Sequence, residues 1–171
     1  MIRYQFRNAK LLFVGINPHP GSYARGVPFS NNKMFWYLLS RAEIIHEDIT
    51  DLKDDTKLKK IYRTKFNKKY KLGLVNVITR PTHDITQLRK GEETEGQKRT
   101  IEIIKIHKPD VVCFIGKIAY GKFTNKKKFS FGWQKDIFSS KAFVMHFPLH
   151  GKAIVRIKEL KKVARAAQLF S

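Results

Sequence analysis

Four short apolar runs recur along the chain: Leu11 to Ile16, Leu72 to Ile78, Val111 to Ile115 and Ala142 to Phe147. Each is rich in β-branched, Leu or Phe side chains, and the first and third are nearly unbroken, as in strands covered on both faces. Between the runs the period lengthens to that of helices. Met34 to Glu43 follows a Ser30-Asn31-Asn32 cluster suited to capping. Glu92 to His107 opens acidic, carries Ile101, Ile103 and Ile104 on one side, and stops before Pro109. Ile154, Ile157, Leu160, Ala164 and Ala167 make a helical stripe near the C-terminus. Strands separated by helices require parallel crossovers, so the pattern predicts an α/β fold of three layers, α/β/α, with a short, mainly parallel four-stranded sheet flanked by helices. Asp48 to Lys71 reads as a surface helix and loop whose basic cluster, Lys65, Lys68, Lys69 and Lys71, is first a solvated face, with a nucleic-acid contact as the lesser alternative.

Neither an internal repeat nor a Ser/Gly/Pro linker interrupts this pattern, and 171 residues suit a single domain spanning 1–171. Charge changes the picture more. Lys plus Arg number 35 against 14 Asp plus Glu, a net charge of +21, while 42% of residues are hydrophobic and 13 are Phe. Such a chain folds, and its basic surface points to a polyanion, chiefly nucleic acid, with acidic membranes and protein-only partners as the alternatives. The lone Cys113 excludes an internal disulfide framework and four-cysteine zinc or iron–sulfur sites. No apolar run approaches the roughly 20 residues of a membrane helix. The expectation is a soluble, cytoplasmic protein with no membrane partner.

Candidate chemistry lies where each apolar run ends. Asn17-Pro18-His19-Pro20-Gly21-Ser22, Thr79-Arg80-Pro81-Thr82, Gly116-Lys117 and Pro148-Leu149-His150-Gly151 are unusual connectors, and in an open α/β sheet these carboxyl-end loops converge on the ligand crevice. That convergence nominates Asn17, Phe29, Asn76 and His150. Asn76 interrupts the apolar Leu74-Val75-Asn76-Val77-Ile78, where a buried amide must be satisfied. Its acceptor and donor, side by side, suit the edge of a pyrimidine; bonding to a strand-end turn is the alternative. Gly116-Lys117 lacks the order of a phosphate-binding loop. His146 and His150 have a metal-like spacing, but Pro148 lies between them and no third ligand is near in sequence, so neither metal nor cofactor is expected. Cys113, inside an apolar run, reads as an inert core residue.

Gly15-Ile16-Asn17-Pro18, followed by Val27-Pro28-Phe29 and Phe35-Trp36, resembles the first active-site motif of the uracil-DNA glycosylase superfamily, in its mismatch-specific uracil-DNA and thymine-DNA glycosylase branch. Asn76 with Arg80-Pro81-Thr82 resembles the family's second strand and loop, Lys108-Pro109 to Gly116-Lys117 its third strand, and Pro148 to Ile157 its DNA-insertion loop and helix. Coverage runs from Leu11 to Ala167. The resemblance implies an enzyme that flips a base from double-stranded DNA and hydrolyses its N-glycosidic bond, with uracil in G·U mispairs as the leading substrate. Thymine in G·T, hypoxanthine, or a catalytically silent DNA-binding domain are the alternatives. By the same resemblance Asn17 polarises the attacking water, Phe29 stacks on the extruded base, Asn76 bonds the pyrimidine edge, and backbone amides near Ile16 and Phe29 complete recognition. An Asn cannot take the water's proton well, so turnover slower than in relatives with Asp there is expected. The absence of a motif Lys aimed at the sugar implies a monofunctional hydrolase.

Ser22, Arg25, Lys33, Arg80, Gly151, Lys152 and Arg156 are the candidate DNA contacts. The final motif departs from the family pattern, reading Phe147-Pro148-Leu149-His150-Gly151-Lys152. Phe147 supplies no polar contact there. Leu149 and His150 are alternative wedges for the vacated stack, and His150 alternatively touches a phosphate or steadies the developing charge as a catalytic residue. The expected assembly is a monomer on DNA, at the nucleoid or in the nucleus according to the cell.

Overall fold

The computed structural model describes residues 1–170. Five strands form the sheet: β1 (Leu11–Gly15), β2 (Leu72–Asn76), β3 (Val111–Ile115), β4 (Gly132–Ile137) and β5 (Ser140–Met145), in the order β2-β1-β3-β5-β4. The first four apolar runs supply β1, β2, β3 and β5, all parallel. The fifth strand corrects the expected count. β4 runs antiparallel to β5 at the sheet edge, and its sequence, Gly-Trp-Gln-Lys-Asp-Ile, alternates between partly covered and exposed positions instead of forming an apolar run. Charges at Lys135 and Asp136 suit an edge that must not recruit another strand.

Seven α-helices are described: α1 (Pro20–Arg25), α2 (Met34–Arg41), α3 (Ile49–Lys53), α4 (Asp55–Ile61), α5 (Thr94–His107), α6 (Lys117–Thr124) and α7 (Ala153–Ala166). Strand pleating sorts the core into two layers. Leu11, Phe13, Leu72, Leu74, Val111, Cys113, Ile115, Phe143 and Met145 face α2 and α7, while Leu12, Val14, Val75, Val112, Phe114, Ala142 and Val144 face α5 and α6. Trp36, Phe35, Leu38 and Leu39 of α2 are all buried, each contributing about 1.5–3 kcal/mol of transfer free energy. Three local expectations change. Ile101 and Ile154 are exposed, because the buried stripes run through Gly96, Thr100, Ile103 and Ile104 on α5 and through Arg156, Leu160, Val163 and Ala164 on α7. The Asp48 to Lys71 stretch is not merely surface: Leu52, Leu58, Ile61, Tyr62, Phe66 and Tyr70 enter the core, the last turn widening into a π-helix at Tyr62–Phe66. Of its basic cluster, Lys65 pairs with Glu47 at 2.9 Å.

Before β1 the chain adds a further element. Gln5 bridges Leu74 in antiparallel sense, its carbonyl accepting from Leu74 N at 2.7 Å, and Gln5 Nε2 donates to Tyr62 O at 2.9 Å. Residues 3–6 thereby lie along the outer edge of β2.

Candidate active site

The connectors that leave β1, β2, β3 and β5 meet at the carboxyl end of the sheet around a cavity of about 570 Å³. Its walls include Ile16, Asn17, Phe29, Asn76, Thr82, Lys117, Leu149 and His150, so all four connectors contribute. In-register pairing makes this inevitable. Gly15 lies opposite Asn76, and pairing persists one step further, with Ile78 N donating to Ile16 O at 2.8 Å. The chain positions after both strands therefore open onto one crevice.

Asn17 is held by its donors. Nδ2 donates to Arg80 O at 3.1 Å and to Thr82 Oγ1 at 2.8 Å, while the Thr82 hydroxyl donates onward to Asp84 O at 2.8 Å. A backbone carbonyl can only accept, so the group facing Arg80 must be the amide nitrogen. That leaves Oδ1 as the free end, an acceptor with a fixed direction.

Asn76 is 3% exposed at the end of β2. Its Nδ2 donates to the Tyr4 hydroxyl at 2.9 Å, whereas Oδ1 is buried with no partner among the described residues. A buried orphan acceptor costs on the order of 1–3 kcal/mol, which is recovered when a donor arrives. Gly15 makes room for this oxygen: a Cβ on residue 15 would stand 2.4 Å from Asn76 Oδ1 and 3.5 Å from Phe29 Cζ. The orphan oxygen and the Phe29 ring thus both border the space that a side chain on residue 15 would fill.

Phe29 adopts φ +54°, a left-handed backbone costly for a bulky residue. Its loop is over-determined. Buried Ser22 Oγ accepts from Ser30 N at 3.1 Å and Asn31 N at 2.9 Å, Ser30 Oγ donates to Val27 O at 2.7 Å, and Trp36 Nε1 donates to Pro28 O at 2.9 Å. Phe35 backs the Phe29 ring at 4.8 Å between centroids. Within the expected Ser30-Asn31-Asn32 cap, Asn32 Oδ1 accepts from Met34 N at 3.0 Å.

The cations proposed from sequence are mostly engaged within the chain. Lys33 Nζ lies 2.6 Å from Asp55, which Arg25 shares at 3.5 Å. Arg80 grips Glu92, Nη2 to Oε2 at 3.0 Å, and holds that carboxyl down at about 2. Arg156 is buried, donating to Phe147 O at 2.8 Å and Lys152 O at 3.0 Å, so it shapes the 147–152 turn from beneath. Ser22 likewise faces inward. Leu149, His150, Gly151 and Lys152 project as the exposed crest of that turn, with Gly151 at φ +84°. His150 sits 5.9 Å from the Phe147 ring, ring to ring.

Several pocket residues carry no strong signal in sequence. His19 caps α1, its Nδ1 accepting from Gly21 N at 3.0 Å, and its ring meets His83 edge-on at 5.1 Å. Burial, then the charges of His83 and Arg25, push its pKa down. Lys117 lies on the cavity wall with its ammonium 4.7 Å over the Phe131 ring; that ring stacks on His146 at 3.6 Å, and His146 bonds Glu159 at 3.0 Å. His146 and His150 thus have separate partners, and among the described residues no three His, Cys, Asp or Glu gather as a metal site. Burial raises the Cys113 thiol well above its ordinary value, as befits a core residue.

The sequence is 27% identical over 161 residues to a G/U mismatch-specific uracil DNA glycosylase of Schizosaccharomyces pombe, an alignment covering 88% of this chain and 46% of that protein. The chain therefore spans under half the length of that relative. The family model of the uracil DNA glycosylase superfamily matches residues 2–168. With the carboxyl-end pocket, the Asn17 loop and the Phe29 turn in place, that match over nearly the whole chain settles its kinship: this chain belongs to the uracil DNA glycosylase superfamily.

Proposed function

We propose that this chain excises uracil from double-stranded DNA, best from a G·U mispair, by flipping the base and hydrolysing its glycosidic bond to leave an abasic site. One observation carries the reading: Asn17, whose two amide hydrogens are spent on Arg80 O and Thr82 Oγ1, Asn76, whose Oδ1 has no partner among the described residues, and Phe29 all line one cavity. The superfamily membership and the named relative support it.

The chemistry follows from those groups. Glycosidic cleavage passes through an oxocarbenium-like state in which a departing base carries negative charge. Uracil spreads that charge over its ring, so hydrogen bonds can replace a general acid. Asn17 Oδ1 accepts from a water and aims it at the sugar, which supplies orientation and little basicity. Flipping costs a few kcal/mol, least at a mispair, which favours G·U over A·U. Stacking on Phe29 returns about 1–3 kcal/mol. Leu149, exposed at the crest of the last turn, fills the vacated stack, and Lys152 with the Gly151 amide meets a phosphate beside it. His150 shares that crest. The cavity-wall lysine, Lys117, has its ammonium committed to the Phe131 ring, which suits hydrolysis without a Schiff base.

End-labelled duplexes carrying G·U, A·U, G·T or hypoxanthine, and single-stranded uracil, test this directly. Release of base that yields strand breaks only after alkali, fastest from G·U, is expected. Borohydride trapping of the protein on DNA would contradict hydrolysis by water alone. Duplex binding without release from any substrate would leave a silent DNA-binding domain.

A further inference from the structure

We infer that Tyr4 is a positioning residue for base recognition: its hydroxyl locks the Asn76 carboxamide so that the carbonyl oxygen points at the base. This rests on the glycosylase reading for its substrate, but its geometry is independent of it. Tyr4 lies far from the site motifs in sequence. It reaches Asn76 because the Gln5–Leu74 bridge, the Gln5–Tyr62 bond and a Tyr62 hydroxyl donating to Arg3 O at 2.6 Å pin residues 3–5 along the β2 edge.

Consider what else constrains the Asn76 amide. Its backbone carbonyl accepts from Arg99 Nη2 at 3.0 Å, and so does that of Val77 at 3.1 Å, which fixes the end of β2 but leaves the side chain free to turn. Among the described residues the Tyr4 hydroxyl is the only hydrogen-bond partner of that side chain, at 2.9 Å from Nδ2. Burial pushes the Tyr4 phenol up to about 12, so it stays protonated and neutral at any working pH. A neutral phenol holds the amide plane without placing a charge beside the base. With Nδ2 drawn back to Tyr4, Oδ1 borders the space beside Gly15 that the Phe29 ring also borders, and it has no donor among the described residues. The ligand that fits is a flat lactam, a ring N–H next to a carbonyl, as in uracil, thymine and hypoxanthine. Cytosine and adenine present an unprotonated ring nitrogen at that edge and would oppose lone pair to lone pair. The Tyr4–Asn76 pair therefore selects deaminated bases over their parents.

Tyr4→Phe removes one oxygen and keeps the ring. In protein labelled with ¹⁵N at asparagine, with the Asn76 signal identified by its loss in Asn76→Ala, a side-chain amide proton of Asn76 is expected to exchange slowly, and Tyr4→Phe to speed that exchange at least about tenfold. In single-turnover assays on G·U duplex the same variant is expected to lose about tenfold in uracil release, to keep wild-type affinity for a duplex carrying an abasic site, and to add nothing in an Asn76→Ala background. Unchanged amide exchange would overturn the assignment, as would a loss that persists in the Asn76→Ala background. If the wild type releases no uracil, the glycosylase reading fails, and the amide exchange still decides whether Tyr4 holds Asn76.

Discussion

Asn17 gives one amide hydrogen to Thr82 Oγ1 at 2.8 Å, and this bond ties the loop after β1 to the loop after β2. Its consequence is directional, because the second hydrogen goes to Arg80 O and both donors are then spent. The oxygen that remains is aimed by two strands at once. Thr82→Val keeps the shape of the side chain and deletes the acceptor, so the amide loses one of its two anchors. Uracil release from G·U duplex is expected to fall about tenfold, with the fold retained by circular dichroism and the melting temperature lowered by only a few degrees. An unaltered rate would mean that Arg80 O alone positions Asn17.

Gly15 is a steric gate for recognition. A methyl group there would lie 2.4 Å from Asn76 Oδ1, too close to coexist with the present rotamer. Gly15→Ala is expected to turn the carboxamide away and lower single-turnover release about 100-fold, the usual penalty for misplacing a reacting or recognising group by an ångström. Its circular dichroism should match the wild type, since the displaced group is a side chain. Full activity would show that Asn76 Oδ1 does not meet the base.

Phe29 separates base capture from duplex binding. Phe29→Ala deletes the stacking face while Ser22, Ser30 and Trp36 still hold the loop. Affinity for G·U duplex should weaken by about 1–3 kcal/mol, and affinity for undamaged duplex, dominated by backbone phosphates, should not change. Equal losses on both would remove the stacking role.

The pocket is expected to lose a modest part of its stability in mild acid through His19. Its folded pKa is lowered, first by burial and then by His83 and Arg25, while in the unfolded chain it titrates at its ordinary value. The unfolded state therefore takes up the proton first as pH falls, so the contribution of neutral His19 to stability is full above about 6.5 and is lost as pH drops through the lower folded value. Protonation also removes the Nδ1 lone pair that caps Gly21 N. His19→Asn retains a capping acceptor without titrating. Melting curves between pH 7 and 5 should show a smaller acid loss for His19→Asn than for the wild type; superimposable losses would assign the acid sensitivity elsewhere.

The four buried strands were legible because each is nearly all apolar, and the convergence of their carboxyl ends then follows from parallel connection alone. β4 was not, because an edge strand needs only one covered face and Gly132 to Ile137 spreads its polar residues accordingly. Asn17 stood out as a polar group at the end of an apolar run, Asn76 as an amide inside one, and Phe29 as part of a motif downstream of the first run, and all three line the cavity. The basic candidates were harder to read. Nothing local in the sequence says that Asp55 will take Arg25 and Lys33, that Glu92 will take Arg80, or that Arg156 will turn inward beneath its own loop. Tyr4 had no signal at all, since its contact depends on an antiparallel bridge from a segment that precedes the first strand.

The central claim is that water held by Asn17 cleaves the bond to a flipped uracil. A single-turnover assay on end-labelled G·U duplex, comparing wild type with Asn17→Ala and developed with alkali, tests it most directly. Release by the wild type that falls at least about 100-fold in Asn17→Ala, with duplex affinity retained, is the predicted result. Release that survives the substitution undiminished would contradict it.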